Sequence, residues 1–235
     1  MKKIIYLALC MAALSCKKDN YNGPSITLQG RITYKGEAIN VSAKDVTFEL
    51  WEPGWGKNGA ITVNVNEDGS YSALLFNGNY KLIIPPSQGP FRSVLNNETN
   101  SDTVRLQLNG NRTMDIEVMP YYMVRTPQFL LTGTAVSATC KLEKIITDVN
   151  AKDIENVFLY LNQTAFVDGT NYIARVGIAG SDITDPDHVS LNVEVPANTS
   201  ANGSTGDQGY IFARIGVKIA GVEDMLFSPV QKIDL

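Results

Sequence analysis

Apolar and polar residues alternate along most of this chain, and a period of two marks strands with one buried face. In the first half, Ile26, Leu28, Gly30, Ile32 and Tyr34 share one face, and Thr27, Gln29, Arg31, Thr33 and Lys35 share the other. The same alternation runs through Val46-Phe48-Leu50, Ile61-Val63-Val65, Tyr71-Ala73-Leu75, Tyr80-Leu82-Ile84, Val104-Leu106-Leu108 and Met114-Ile116-Val118. Between these runs stand Asn66-Glu67-Asp68-Gly69-Ser70, Asn77-Gly78-Asn79 and Asn109-Gly110-Asn111. Asp-Gly and Asn-Gly pairs tolerate positive φ and so favour tight hairpins. About seven short antiparallel strands of this kind predict a β-sandwich.

A second series begins after Pro120-Tyr121-Tyr122, with strands predicted at 130–142, 157–161, 172–176, 189–195, 210–219, 225–227 and 230–235. Ile211, Ala213, Ile215, Val217 and Ile219 form an inward face, while Phe212, Arg214 and Lys218 form the outward one. The count is again about seven, which predicts an immunoglobulin-like or fibronectin-type sandwich. No helix longer than two turns is expected. The chain therefore reads as all-β, two antiparallel sandwiches in tandem over residues 26–120 and 121–235, with Tyr121 and Tyr122 packing the joint.

The first 15 residues do not fit this pattern. Lys2 and Lys3 precede an apolar run from Ile4 to Leu14, then Ser15. This is the layout of a secretory signal peptide, and the run is about half the ~20 residues that a membrane-spanning helix needs. Residue 16 is a cysteine, and the chain turns polar at once through Lys17-Lys18-Asp19-Asn20. Ala13-Leu14-Ser15-Cys16 resembles the lipobox of bacterial lipoproteins. That resemblance implies a diacylglyceryl group on the Cys16 thiol, a further acyl chain on its amine, and residues 16–25 as a lipidated tether. Two or more chains anchor stably where one does not. The expected location is the outer membrane, lipid-anchored and displayed at the cell surface; the single acidic residue, Asp19, matches the surface-display signal of such lipoproteins in part.

Composition narrows the chemistry. Cleavage leaves 220 residues and removes two lysines, moving the formal charge from −4 to −6. An acidic balance argues against nucleic acid as a partner, because phosphate recognition needs a basic surface. After Cys16 the only cysteine is Cys140, in register with the apolar Val136, Ala138 and Leu142, so it reads as a buried hydrophobe. His188 is the only histidine, and no Gly-x-Ser-x-Gly motif is present. A hydrolytic triad, a histidine-rich zinc site and a cofactor therefore have no foundation. Asp182, Asp185 and Asp187 beside His188 do not follow the twelve-residue calcium-loop spacing and read as a solvated loop, with no metal expected. No catalytic residues are assigned, and the chain is not expected to be an enzyme.

Thr33-Tyr34-Lys35-Gly36-Glu37-Ala38-Ile39, Val46-Thr47-Phe48-Glu49-Leu50, Asn66-Glu67-Asp68-Gly69-Ser70-Tyr71 and Asn77-Gly78-Asn79-Tyr80-Lys81-Leu82 resemble a carboxypeptidase regulatory-like domain. The resemblance implies a transthyretin-like fold for the first sandwich and an accessory role. With the junction Met114–Tyr122 and the segments Phe212–Val217 and Phe227–Ile233, the whole chain resembles a two-domain lipoprotein family of unknown function from Bacteroides-type bacteria. Members of that family often accompany glycan-uptake systems of the starch-utilisation type. The implied partners are a glycan and an outer-membrane transporter or its binding lipoprotein. An alternative role is structural, bracing a transporter or adhesin complex.

The sharpest candidate site is Trp51-Glu52-Pro53-Gly54-Trp55, which holds the only two tryptophans of the chain. Trp51 is out of phase with the inward Phe48 and Leu50, so it points outward at a strand end, and Trp55 follows in a Gly/Pro loop. Exposed indole faces are surfaces on which sugar rings stack. A glycan platform of Trp51 and Trp55, with Phe91 and Arg92 as neighbours, is the expectation. Asp102-Thr103-Val104 also resembles a short O-glycosylation motif of Bacteroides-type proteins.

Overall fold

The computed structural model describes residues 22–54, 59–86, 88–96, 99–197 and 209–235. Cys16 with the signal segment, Trp55 and most of the loop from Pro196 to Gln208 lie outside the described residues. The strands are β1 (Ile26–Tyr34), β2 (Glu37–Ala38), β3 (Thr47–Trp51), β4 (Ile61–Asn64), β5 (Ser70–Leu75), β6 (Gly78–Ile83), β7 (Phe91–Ser93), β8 (Val104–Leu108), β9 (Arg112–Thr113) and β10 (Ile116–Pro120) in the first half. The second half holds β11 (Tyr122–Thr132), β12 (Ala135–Lys144), β13 (Ile154–Asn162), β14 (Ala174–Ala179), β15 (Val189–Glu194), β16 (Tyr210–Ile219), β17 (Leu226–Phe227) and β18 (Gln231–Asp234). The described residues include a 3₁₀ segment, Gly180–Asp182, and no helix among them is long and apolar enough to cross a membrane.

Two β-sandwiches follow one another, as the alternation predicts. In the first, β1 is the long organising strand: it pairs with β5 and β9 along its first part and with β2 and β10 along its second. The facing sheet has the order β4-β3-β6-β8. Leu28, Phe48, Leu50 and Leu108 are fully buried between the sheets, and the Phe48 and Tyr71 rings meet edge to face at 4.8 Å. In the second, β11-β12-β15 packs against β14-β13-β16 with β17 and β18. Val136, Ala138, Cys140 and Leu142 point inward together, so the thiol is a core group. Burial pushes its pKa up to about 12.

Three details depart from the sequence reading. The pairing is not wholly antiparallel, because β1 runs parallel to β9 and β10. The segment expected as one strand over 130–142 is part of a hairpin, β11 and β12, turning at Gly133 with φ 61°. Arg214, expected on a solvent face, is 1 % exposed. It points away from the aliphatic layer as its register demands, but the loop carrying Val167 and the first sandwich cover it.

The joint between the sandwiches is continuous core: Ile39 and Val41 from the first half lie in one apolar cluster with Tyr121, Tyr122, Val124 and Leu226. Tyr122 donates from its hydroxyl to the Lys152 carbonyl at 3.0 Å, and the Lys152 ammonium sits 5.6 Å from the Tyr121 ring centroid. The Phe227 N–H donates to the Asn40 carbonyl at 3.0 Å.

Candidate functional site

Trp51 occupies the last position of β3, where Phe48 and Leu50 take the core face and Thr47, Glu49 and Trp51 the outward one. The indole is half-buried, and its Nε1–H donates to Glu49 Oε2 at 2.8 Å. That bond fixes the ring along the strand through a same-face neighbour two residues back. Across the sheet Trp51 pairs with Lys81 of β6, and Lys81 pairs in turn with Arg105 of β8. Asn79 and Gln107 form the next outward pair of the same two strands. A shallow groove of about 290 Å³ is lined by Pro53, Asn79, Lys81, Arg105 and Gln107 among others; Trp51 does not line it and is linked to it through its cross-strand partner Lys81. The outward surface of this sheet therefore offers one aromatic body, two cations, two side-chain amides and the Glu49 carboxylate. This is the chemistry that orients a polyhydroxylated ring: one apolar face and several convergent donors and acceptors.

Beneath this surface, Tyr80 donates from its hydroxyl to the Phe76 carbonyl at 3.0 Å. Its pKa is raised, first by burial and then by Glu52 beside it. The ring itself belongs to the core. It holds β6 in place and leaves its neighbours Asn79 and Lys81 on the outer side.

The structure separates the other sequence-predicted residues from this surface. Phe91 is 4 % exposed and lies on β7, which pairs with β10 in the other sheet, so it is a core residue and offers no open face. Its ring lies against Gly89, where a built Cβ would come within 2.2 Å of Phe91 Cζ. Arg92 is exposed but lines a cavity of about 370 Å³ with Val94, Leu95, Met119, Ile145 and Asp148, near the joint. There it helps hold the Asp148 carboxyl below the usual range, after the Asn150 hydrogen bonds that contribute most. Neither residue belongs to a platform with Trp51. Sequence reasoning missed Lys81, Arg105, Asn79 and Gln107. Their outward phase is legible, since Tyr80, Leu82, Leu106 and Leu108 alternate with them; the pairing that places β6 between β3 and β8 is not.

The acidic loop is closed on itself. Asp185 Oδ2 lies 2.7 Å from His188 Nδ1, Asp185 Oδ1 accepts the Asp187 N–H at 2.9 Å, and Asp187 pairs with Lys141 at 2.8 Å. Thr103 is half-exposed, with its N–H bonded to Ser101 Oγ at 3.2 Å.

Residues 26–119 match the family model described as the N-terminal domain of a protein of unknown function, DUF3823, and residues 122–232 match its companion C-terminal domain. A DUF3823 family protein from Parabacteroides merdae is 31 % identical, the match covering 91 % of this chain and all of that one, with a TM-score of 0.75. The chain belongs to the DUF3823 family. Another member, from Bacteroides ovatus, is 29 % identical over 90 % of this chain and 100 % of its own, with a TM-score of 0.77. A Bacteroides uniformis protein described as a "putative carbohydrate binding protein" is 18 % identical over 91 % of this chain and 100 % of its own, with a TM-score of 0.67, and shares the fold. No curated protein matches the chain. Membership of a two-domain family of unknown function is what the resemblance implied.

Proposed function

We propose that this chain is a non-catalytic, lipid-anchored protein that captures glycan at the bacterial outer surface and hands it to an uptake system. The observation that carries the reading is the outward Trp51 indole, pinned by Glu49 and paired across the sheet with Lys81, which lines a groove with Arg105, Asn79 and Gln107. Stacking on the indole supplies apolar contact, and the flanking groups bond ring hydroxyls in water-accessible geometry. Such open sites bind weakly per ring and gain from repeated rings along a polymer. The name given to the Bacteroides uniformis relative points the same way.

The anchor in this reading is Cys16, which would hold the protein to the outer membrane beside a transporter or its binding lipoprotein. Labelling cells with a fatty acid reports on it: wild type carries label and partitions with membranes, whereas Cys16→Ala carries none and is recovered in the soluble fraction. Label retained by Cys16→Ala would refute the anchor. The glycan reading is tested by screening residues 22–235 against a glycan array. Binding to one or more polysaccharides, with no products released, supports it; binding to none removes it.

One observation favours the alternative role as an assembly partner. Val94, Leu95, Val104 and Met119 are all more than a third exposed, and three of them line the cavity near the joint. If the array shows no glycan, charged substitutions at Leu95 and Met119 should abolish co-purification with an outer-membrane partner.

A further inference from the structure

The outer face of the second sandwich carries aromatic residues that the preceding reading does not use. On β13, Val157, Leu159 and Leu161 enter the core, which leaves Phe158 and Tyr160 on the opposite face. Phe158 has glycines as both cross-strand neighbours, Gly177 and Gly216, and the rings lie over the space these leave. A Cβ at Gly177 of β14 would meet Phe158 Cδ1 at 2.5 Å, and one at Gly216 of β16 would meet Phe227 at 2.8 Å and Tyr160 at 2.9 Å. Phe158 and Tyr160 ring centroids are 5.5 Å apart, and Tyr160 and Tyr172 are 5.6 Å apart. Tyr160 and Phe227 are buried as a satellite core, whereas Phe158 is half-buried and Tyr172 is 37 % exposed. The result is a shelf of rings whose open edge is the end strand β14.

Arg175 stands on that edge. Its guanidinium carbon is 5.0 Å from the Tyr172 centroid and 5.7 Å from that of Phe158, within cation–π range of both. The residue is exposed, and no carboxylate among the described residues forms an ion pair with it. The nearby Asp168 is turned inward: its Oδ1 accepts from Thr170 N (2.9 Å), Thr170 Oγ1 (2.8 Å), Asn171 N (2.8 Å) and Asn171 Nδ2 (2.9 Å). A planar cation is thus held by rings and by a hydrogen bond to the Tyr160 hydroxyl, on an exposed side chain beside an exposed aromatic body. Guanidinium donors match a carboxylate bidentately. A shelf without walls cannot enclose a small free acid, but it can carry successive rings of a polymer.

We infer that Phe158, Tyr172 and Arg175 form a second carbohydrate subsite, selective for a pyranose bearing a carboxylate, a uronic acid unit in a polysaccharide. The inference shares with the Trp51 reading only the premise that the chain binds glycan. The ring of the sugar lies on Tyr172 and its carboxylate faces Arg175.

The test is calorimetry of residues 22–235 with oligomers of galacturonate, of mannuronate and of a glucuronate-containing glycan, each beside its neutral methyl ester. At least one free acid should bind, with tenfold or greater weakening as the ester, and weakening as salt rises. Arg175→Gln and Tyr172→Ala should each lose tenfold or more toward the acid with unchanged melting temperature, and Arg175→Lys should fall between wild type and Arg175→Gln. Equal binding of acid and ester, undiminished acid binding by Arg175→Gln, or no binding to any of the acids would each overturn the assignment. Trp51→Ala scored on neutral glycans reports on the other face, so the two readings fail separately.

Discussion

Arg214 is a complete cation inside the protein with only neutral groups touching it. Its Nε donates to the Ser228 carbonyl at 2.8 Å, Nη1 to Val167 at 3.3 Å and Nη2 to Glu67 at 2.7 Å, while its guanidinium stacks 4.5 Å above Phe227. Burial pushes its pKa down to about 10. Truncating such a residue removes the guanidinium donors from three carbonyls, of which that of Glu67 keeps another, the Val41 N–H at 3.3 Å, so Arg214→Ala should cost about 3 kcal/mol or more in urea unfolding. Arg214→Lys should recover part of that loss, because an ammonium cannot fork to three carbonyls or stack as a plane. A loss under about 1 kcal/mol for Arg214→Ala would mean that the network does not stabilise the fold. Three buried acids set the alkaline limit. Burial raises the Cys140 thiol and the Tyr71 and Tyr160 phenols to about 12, above their unfolded values of 9.0 and 10.0. A raised folded pKa means the native state holds its proton longer, so the stability these groups contribute is complete below about pH 9 and lost as pH climbs toward 12. Arg214 has the opposite sign, one group against three. Tyrosinate absorbance and circular dichroism, followed from pH 9 to 12, should show the last phenols ionising together with unfolding; their ionising before loss of structure would contradict this.

At the scale of elements, close approach decides as much as hydrophobicity. Gly30 lies in β1 where a Cβ would stand 1.9 Å from the Met114 carbonyl oxygen, a backbone atom that cannot swing aside. Gly30→Ala should destabilise by about 3 kcal/mol through overpacking, read as a fall in the denaturant midpoint; a variant as stable as wild type would show that the strands can part at no cost. The strands themselves were largely legible, since alternation of Phe48 with Glu49 or Leu82 with Lys81 states which side is buried. The partners were not. Ile32 pairs with Ile116 across more than eighty residues, and nothing local encodes a parallel contact at that distance. The hairpin at Gly133 was hidden because Leu130 is in phase with Val136 and reads as one alternation across a short turn, whereas Leu130 faces outward and Leu131 is the residue that pairs with Val136. The candidate site was half-legible for the same reason: the outward phase of Trp51 follows from its neighbours, but Lys81 and Arg105 join it only through sheet order, and Phe91 was misplaced because its strand belongs to the other sheet. The aromatic shelf left a signal that went unread, Phe158 with Tyr160 and Tyr210 with Phe212, each pair two residues apart on one strand face.

The whole molecule is held at its joint by polar bonds as well as by core. Glu67 of the first sandwich accepts from Arg214 of the second, Asp224 of the second accepts the Gly89 N–H at 2.7 Å, and Arg125 pairs with both Glu37 and Glu143. With the apolar cluster running through the same region, the sandwiches should unfold together, giving one calorimetric transition; two resolved transitions would show independent domains. In the proposed reading a rigid pair matters for capture, because it fixes the Trp51 surface of the first sandwich relative to the Tyr172–Arg175 shelf of the second. The most direct test of that capture is affinity electrophoresis of residues 22–235 through gels containing each polysaccharide that the array identifies, wild type beside Trp51→Ala. Retention weakened at least tenfold in the variant, with an unchanged melting temperature, is the result expected of a sugar ring stacked on the indole; retention equal to wild type would contradict it.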